Sequence, residues 1–259
     1  MITSGTNNKI KHIISLQKKP KLRKEEGVFI VEGIKMFLEL EKKRIKEVYI
    51  SESFSKTEEG KKIIKGYNVE IVKDSIFVDM SDTKTPQGVL AIVKQLQYTL
   101  DDILNKEEKP MLLILDRIQD PGNLGTMIRG GEGAGITGII MSKDTVDIYN
   151  QKVIRSTMGS LYRVPFVYVD DLKSVIENIK RLGITTYAAH LMAEESYDKK
   201  DYKKGCAFMI GNEANGLSDE IASLSDEYIK IPMLGNVESL NAAMAATILL
   251  YEGARQRRN

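Results

Sequence analysis

Three short polar segments combine residue types that do chemistry with glycines that let a backbone come close to a ligand. The first, LDRIQDPGNLGTMIRGGEGAG from Leu115, carries Asn123 and Arg129. Asn123 is a helix-capping residue type. Arg129 lies six residues on, close to two turns, which predicts the two side chains on roughly the same side. The second, MIGNEANGL from Met209, ends an apolar run at Gly211, where a missing Cβ permits close backbone approach. Glu213 follows in a turn with Asn215 and Gly216, and a turn alone does not ask for a carboxylate there. The third, IKIPMLGNVESLNAAMAA from Ile229, is predicted to end a strand at Pro232 and to begin a helix at Ser239. Ser239 and Asn241 would then sit where unpaired backbone N–H groups attract anions. Each residue alone also has an ordinary structural role, as a cap, a surface ion pair or a turn.

These segments need a scaffold, and the apolar patterning supplies one. From Met111 on, strands and helices alternate: MLLILD, GIIMS, VPFVYV, ITTYAAH, CAFMIG and EYIKIPM are short apolar runs. LKSVIENIKRLG is an amphipathic helix stopped by Gly183, and SLNAAMAATILLYEGARQRR a long closing helix. Alternation of this kind predicts an α/β domain on a parallel sheet, covering 111–259. The three polar segments would lie at the carboxyl ends of its strands, where such sheets bind ligands. Residues 1–100 predict a separate small α/β unit, with strands VFIVE, EVYIS, VEIVK and GVLAIVK. Residues 101–110 would link the two.

Composition narrows the function. Net charge is +2, but residues 1–98 carry +6 and the remainder −4. That asymmetry fits a polyanion-binding N-terminal part or a lysine-rich solvated surface. Its densest cluster, Lys18, Lys19, Lys21, Arg23 and Lys24, is the candidate for phosphate contacts, with Arg255, Arg257 and Arg258 as a second cluster. The single cysteine, Cys206, excludes an internal disulfide and multi-cysteine zinc sites. His12 and His190 offer no ligand spacing, so no metal is expected. No apolar run is long enough to span a membrane and no secretory signal is visible, so a cytoplasmic protein is expected. The GxGxxG match at Gly133, Gly135 and Gly138 closes a helix and enters a strand. A dinucleotide fingerprint needs the reverse order, which argues against a nicotinamide enzyme.

Taken together and in order, DPGNLGTMIR, IGNEANGL and IPMLGNVESLNAAMAATILLYE resemble the signature motifs of the SpoU (TrmH-like) branch of the SPOUT RNA methyltransferases. FIVEG and TPQGVLAIV resemble the small substrate-binding domain that accompanies them, of ribosomal-protein-like fold. The resemblance implies a deep trefoil knot in the C-terminal domain and a homodimer built through it. It implies methyl transfer from S-adenosylmethionine to a ribose 2′-hydroxyl of RNA, with ribosomal RNA of the 23S type first and transfer RNA second. Cofactor contacts carry over to Gly211, Ile231 and Leu240, with Leu191 and Met233 beside them. Arg129 would activate the hydroxyl, or anchor the adjoining phosphate and stabilise alkoxide charge. Asn123, Glu213, Ser239 and Asn241 would position it, the loop or the substrate. A non-catalytic RNA-binding or ribosome-assembly protein on the same fold is the alternative, and a knotted methyltransferase acting on a base nitrogen is another.

Overall fold

The computed structural model describes residues 1–105 and 107–258. Lys106, inside the predicted linker, lies outside the described residues. The chain divides into two compact units: Met1–Leu96 with Tyr149–Tyr162, and Gln97–Ile148 with Arg163–Asn259.

The first unit holds α1 (Asn8–Lys18), α2 (Pro20–Glu26), β1 (Val28–Glu32), α3 (Ile34–Leu38), β2 (Ile45–Ser51), α4 (Glu52–Ser55) and α5 (Glu58–Gly66). β3 (Val69–Val72), α6 (Asp74–Met80) and β4 (Val89–Lys94) follow. Its sheet runs β1-β4-β2-β3, with β4 antiparallel to both neighbours and β2 parallel to β3. Ile10, Ile13 and Leu16, spaced three apart on α1, pack with Phe77 and Met80 of α6 on one face of the sheet. Each such fully buried aliphatic contributes about 1.5–3 kcal/mol. The antiparallel pairing of β1 with β4 brings FIVEG against TPQG. Gly33 N–H donates to Val89 O at 3.0 Å, and Ile34 N–H to Gln87 Oε1 at 2.8 Å.

The second unit holds α7 (Leu100–Leu104), β5 (Met111–Leu115), α8 (Pro121–Ala134) and β6 (Gly138–Ser142). The chain then contributes α9 (Gln151–Thr157) to the first unit, an excursion that a single domain over 111–259 did not foresee. Specific contacts hold it there. The Tyr149 ring packs tilted on Phe29 with centroids 4.6 Å apart, its hydroxyl bonds the Leu96 backbone, and Gln151 Nε2 donates to Ile30 O. After the return come β7 (Phe166–Val169), α10 (Leu172–Arg181), β8 (Thr185–Ala189), β9 (Cys206–Ile210), α11 (Asp219–Ala222), β10 (Glu227–Ile229) and α12 (Ala242–Arg257).

All six strands of this sheet are parallel, in the order β10-β8-β9-β5-β6-β7. Alternation assigns the faces. Leu112 and Ile114 of β5 join Ile176 and Ile179 of α10 in one core layer. On the other face Gly253 of α12 lies against Met111 and Phe208. Helices α8 and α12 approach closely through Gly130, where an added Cβ would come within 2.7 Å of Thr247 Oγ1.

Two predicted boundaries move. The strand expected to reach Pro232 ends at Ile229, with Lys230 left in an isolated bridge to Ser196. Proline has no N–H for a ladder. The closing helix begins at Ala242 and not at Ser239, because Asn241 caps it.

Candidate active site

Aligned registers put the loops after β5, β8, β9 and β10 on one edge. Ile229 pairs with Ala189, Ala188 with Met209, and Leu115 with Ile210, so the four carboxyl ends lie side by side. The three polar segments leave from this edge.

The loop after β5 enters α8 through Asp120, whose Oδ1 accepts from Asn123 N–H at 2.8 Å, with Pro121 at the first helical position. Asn123, for which capping is the ordinary alternative role, does not cap the helix, and its amide joins the other two segments. Nδ2 donates to Glu213 Oε1 at 3.0 Å, and Oδ1 accepts from Asn241 Nδ2 at 2.9 Å. Glu213 also accepts from the backbone N–H groups of Gln119 and Asp120, each at 3.0 Å. Partial burial pushes the Glu213 pKa upward, but the donors from Gln119, Asn123 and Asp120 outweigh it and hold the carboxyl below its ordinary range. Asn241 in turn caps α12, its Oδ1 accepting from Ala243 and Met244 N–H. One bonded chain, Asn241–Asn123–Glu213, thus ties all three segments together.

Gly211 has a steric reason to be glycine. A Cβ there would stand 2.0 Å from Leu217 N and 2.1 Å from Gly216 C. The turn of its own segment, closed by the Asn212–Gly216 bridge, occupies the space a side chain would take. Asn212 organises that turn through Oδ1, which accepts from Ala214 and Asn215 N–H, while Nδ2 donates to Arg117 O at 2.9 Å. Asn212, Gln119 and Asp120 were not singled out from the sequence. An asparagine directly after a strand-ending glycine is the Asx-turn signal that could have flagged the first.

Two of the expected catalytic residues stand outside this network. Ser239 is exposed in the loop before α12. Arg129 is exposed on α8, and no ion pair or hydrogen bond engages it among the described residues. At roughly 100° per residue, six residues leave Arg129 about 120° around the helix from Asn123, so the two do not stack as expected. Arg129 precedes Gly133 by one turn, and Gly133 lies at the Tyr251 hydroxyl of α12.

Leu191 follows β8, Gly211 follows β9, and Ile231, Met233 and Leu240 lie in the loop after β10. These three strands are neighbours. From 231 to 240 no hydrogen bond engages the backbone among the described residues. The surface beside it is apolar: Leu191 is 73%, Met192 79% and Leu234 101% exposed. Open amide donors and acceptors beside exposed aliphatic and thioether side chains fit a ligand with an apolar body and a hydrogen-bonding rim, as an adenosyl group is.

The basic cluster of the first unit is only partly available. Lys18, Lys19, Lys21 and Lys24 are exposed. Arg23 is 2% exposed, and its Nη1 donates to Leu16 O at 2.6 Å and Gln17 O at 2.9 Å, closing the last turn of α1. It is withdrawn from the candidate phosphate contacts, because a buried guanidinium already spent on carbonyls cannot reach a phosphate. Arg257 is spent likewise on Tyr202, Lys109, Pro110 and Lys204 carbonyls. Cys206 is buried beside it, and burial pushes its thiol up to about 11, so it is no nucleophile.

Comparison with known proteins gives the same reading from a separate direction. Residues 110–251 match the SpoU rRNA Methylase family and residues 7–91 the MRM3-like substrate binding domain. The chain is 30% identical over 252 residues to the 23S rRNA (guanosine(2553)-2′-O)-methyltransferase RlmP of Bacillus subtilis, covering 96% of this chain and 97% of that protein. Among solved structures, the SpoU methyltransferase AviRb from Streptomyces viridochromogenes in complex with AdoMet superposes with a TM-score of 0.88 at 27% identity, over 98% of this chain and 99% of that one. The AdoMet-bound rRNA methyltransferase from Sinorhizobium meliloti gives 0.84 at 32% identity, over 98% and 97%. Fold and family match define the class: a methyltransferase that uses S-adenosylmethionine. The chain belongs to the SpoU rRNA methylase family.

Proposed function

We propose that this chain transfers the methyl group of S-adenosylmethionine to a ribose 2′-hydroxyl of ribosomal RNA, 23S-type RNA ahead of transfer RNA. The observation that carries the reading is the Asn241–Asn123–Glu213 chain, which joins three segments distant in sequence at the ligand-binding edge of a parallel sheet. The cofactor is assigned to the ends of β8, β9 and β10, against Leu191, Gly211, Ile231, Met233 and Leu240. When bound, it supplies a sulfonium methyl, so the acceptor oxygen needs alignment and relief of its proton.

Alignment is the task of the chain's own residues. Glu213 holds the backbone of Gln119 and Asp120, and so the entry to α8, while Asn123 fixes that helix start against α12. Proximity and orientation of this kind supply much of the rate of a displacement. Arg129 is the electrostatic group. A guanidinium stays protonated in proteins, so its role is to bind the adjoining phosphate and stabilise charge on the oxygen as the proton leaves to solvent. Ser239 and Asn241 would hold the substrate phosphate or the loop.

The remaining family features belong to the same proposal: a deep trefoil knot, a first unit of ribosomal-protein-like fold that delivers RNA through Lys18, Lys19, Lys21 and Lys24, a cytoplasmic location, and a homodimer. An exposed apolar stripe supports the dimer. Met244 and Tyr251 stand exposed on α12, a helix apolar on most of its circumference. Tyr251 adjoins Gly133, one turn from Arg129. Pairing there would place Arg129 near a subunit boundary.

The test incubates the protein with S-adenosylmethionine carrying a labelled methyl and rRNA transcribed in vitro. The expected product is an alkali-resistant dinucleotide, the mark of a 2′-O-methyl group. Label in a free base, or RNA binding without transfer, would refute the proposal. Arg129→Ala is expected to lower kcat about 10²–10³-fold while leaving cofactor affinity unchanged. Wild-type turnover by that variant would remove Arg129 from the mechanism.

A further inference from the structure

Arg117 has a backbone that its residue type disfavours. Its φ is 55°, and Met158 is the one other non-glycine residue with positive φ among the described residues. Met158 is explained as the left-handed cap of α9. Arg117 caps nothing. It stands between the end of β5 and the loop into α8, where a glycine would be at ease.

Three hydrogen bonds hold it there. Its N–H donates to Ser142 Oγ at 2.8 Å, and its carbonyl accepts from Asn212 Nδ2 at 2.9 Å and Gln119 Nε2 at 3.3 Å. Gln119 Nε2 also donates to Asp144 O at 2.7 Å, so the loops after β5, β6 and β9 all grip this one residue. Strain maintained by surroundings that over-determine it points to function.

The side chain is held at one end only. Nε donates to Asp116 Oδ2 at 3.1 Å, and Asp116 is buried at 4% exposure. The Arg117 side chain is 41% exposed, and no ion pair or hydrogen bond engages its two Nη groups among the described residues. A buried carboxylate thus fixes the guanidinium plane and leaves the end that binds a phosphate bidentately open to water. The position is telling as well. β5 lies on the β6 side of β9, so Arg117, at the β5 end, stands one strand beyond the β8, β9 and β10 ends assigned to the cofactor, its N–H on Ser142 of β6 and its carbonyl on Asn212 of the β9 loop.

The geometry points to Arg117 as a substrate-anchoring residue, a bidentate clasp for a phosphate of the RNA on the β6 side of the site. It rests on the methyltransferase reading, and it adds a second guanidinium to Arg129 with a separate task.

The experiment measures three things on wild type, Arg117→Gln, Arg117→Lys and Arg117→Gly. These are the salt dependence of binding to rRNA transcribed in vitro, KM and kcat for that RNA, and S-adenosylmethionine affinity with melting temperature. Arg117→Gln is expected to reduce the slope of log K against log salt by about 0.7–0.9, the release of one phosphate contact. KM should rise about ten-fold, with cofactor affinity and melting temperature unchanged. Arg117→Lys should restore the slope but only part of KM, because an ammonium cannot bind bidentately. Arg117→Gly should lose the RNA contact as well, its melting temperature setting relief of the backbone against loss of the donor to buried Asp116. A wild-type slope and KM in Arg117→Gln would overturn the inference. So would losses that follow a lower melting temperature and weaker cofactor binding, since these would make the residue merely a counter-charge for Asp116. The salt slope is read on RNA binding itself, so it judges Arg117 even if wild type transfers no methyl, a result that would instead sink the parent reading.

Discussion

The corner formed by residues 116–123 and 211–217 shares an edge with the loop 231–240, yet the two are in opposite hydrogen-bonding states. In the corner Glu213 takes three donors, Asn212 three partners, and Asn123 bonds on both sides of its amide. In the loop no hydrogen bond engages the backbone among the described residues, and Leu234 stands fully exposed. A corner that closes on itself is rigid before any ligand arrives and can hold a reacting geometry. A loop with open donors and acceptors is completed by what binds it. On the proposed function, pre-organised chemistry lies beside ligand-ordered recognition on one sheet.

The sharpest way to break this contrast is a methyl group at one glycine of each region. Gly211→Ala forces a Cβ to 2.0 Å from backbone and is expected to cost roughly 3 kcal/mol or more, read by urea unfolding. A stable Gly211→Ala would mean the corner is not closed. Next in size is the effect of the cofactor on the loop. At about one hundred times its dissociation constant, S-adenosylmethionine should slow amide exchange from 231 to 240 by up to about 2.7 kcal/mol of protection, and leave the amides of Gln119 and Asp120 little changed. Equal protection of both regions would erase the distinction.

Glu213 sharpens the corner's side of it. Its folded pKa lies below the unfolded value of about 4.3, so its bonds contribute fully above that value and are lost as pH falls through the folded pKa. Glu213 is exposed, which limits the effect. Glu213→Gln is expected to cost about 1 kcal/mol at neutral pH, some 2–4 °C in melting temperature, and nothing at the acid end. A wild-type acid slope in that variant would deny Glu213 its partners. The smallest effect is expected at Gly235, where a Cβ meets nothing within 4 Å. Gly235→Ala should leave stability unchanged or raise it by up to about 1 kcal/mol, through a less flexible unfolded chain. A marked loss of stability would mean the loop is packed after all.

Much of the fold was legible because periodicity reports burial directly. MLLILD, GIIMS and CAFMIG became strands buried on both faces, and Gly135, at φ 78°, closes α8 as the reversed GxGxxG order required. Helix α9 and its membership of the first unit were not legible. QKVIRST is no more helical in pattern than its surroundings, and what holds it is the packing of Tyr149 on Phe29, a pair 120 positions apart in the chain. The site divided in the same way. Asn123, Glu213 and Asn241 could be picked out by type and segment, while Asp120, Gln119 and Asn212 gained meaning only from their partners. Arg23 shows the reverse, a residue whose charge suggested a phosphate and whose surroundings spend it on helix carbonyls.

The order of residues alone determined the alternation of strands and helices, the three polar segments and the residue types within them, because these follow from propensity, periodicity and turn chemistry acting over a few positions. Tertiary structure decided which of those residues meet. Asn241 reaches Asn123, and Asn123 reaches Glu213, only because parallel pairing of β5 with β9 brings separated strand ends to one edge and α12 starts against α8. Hydrogen bonds need atoms within about 3 Å, and no local rule of sequence specifies a distance between residues a hundred positions apart.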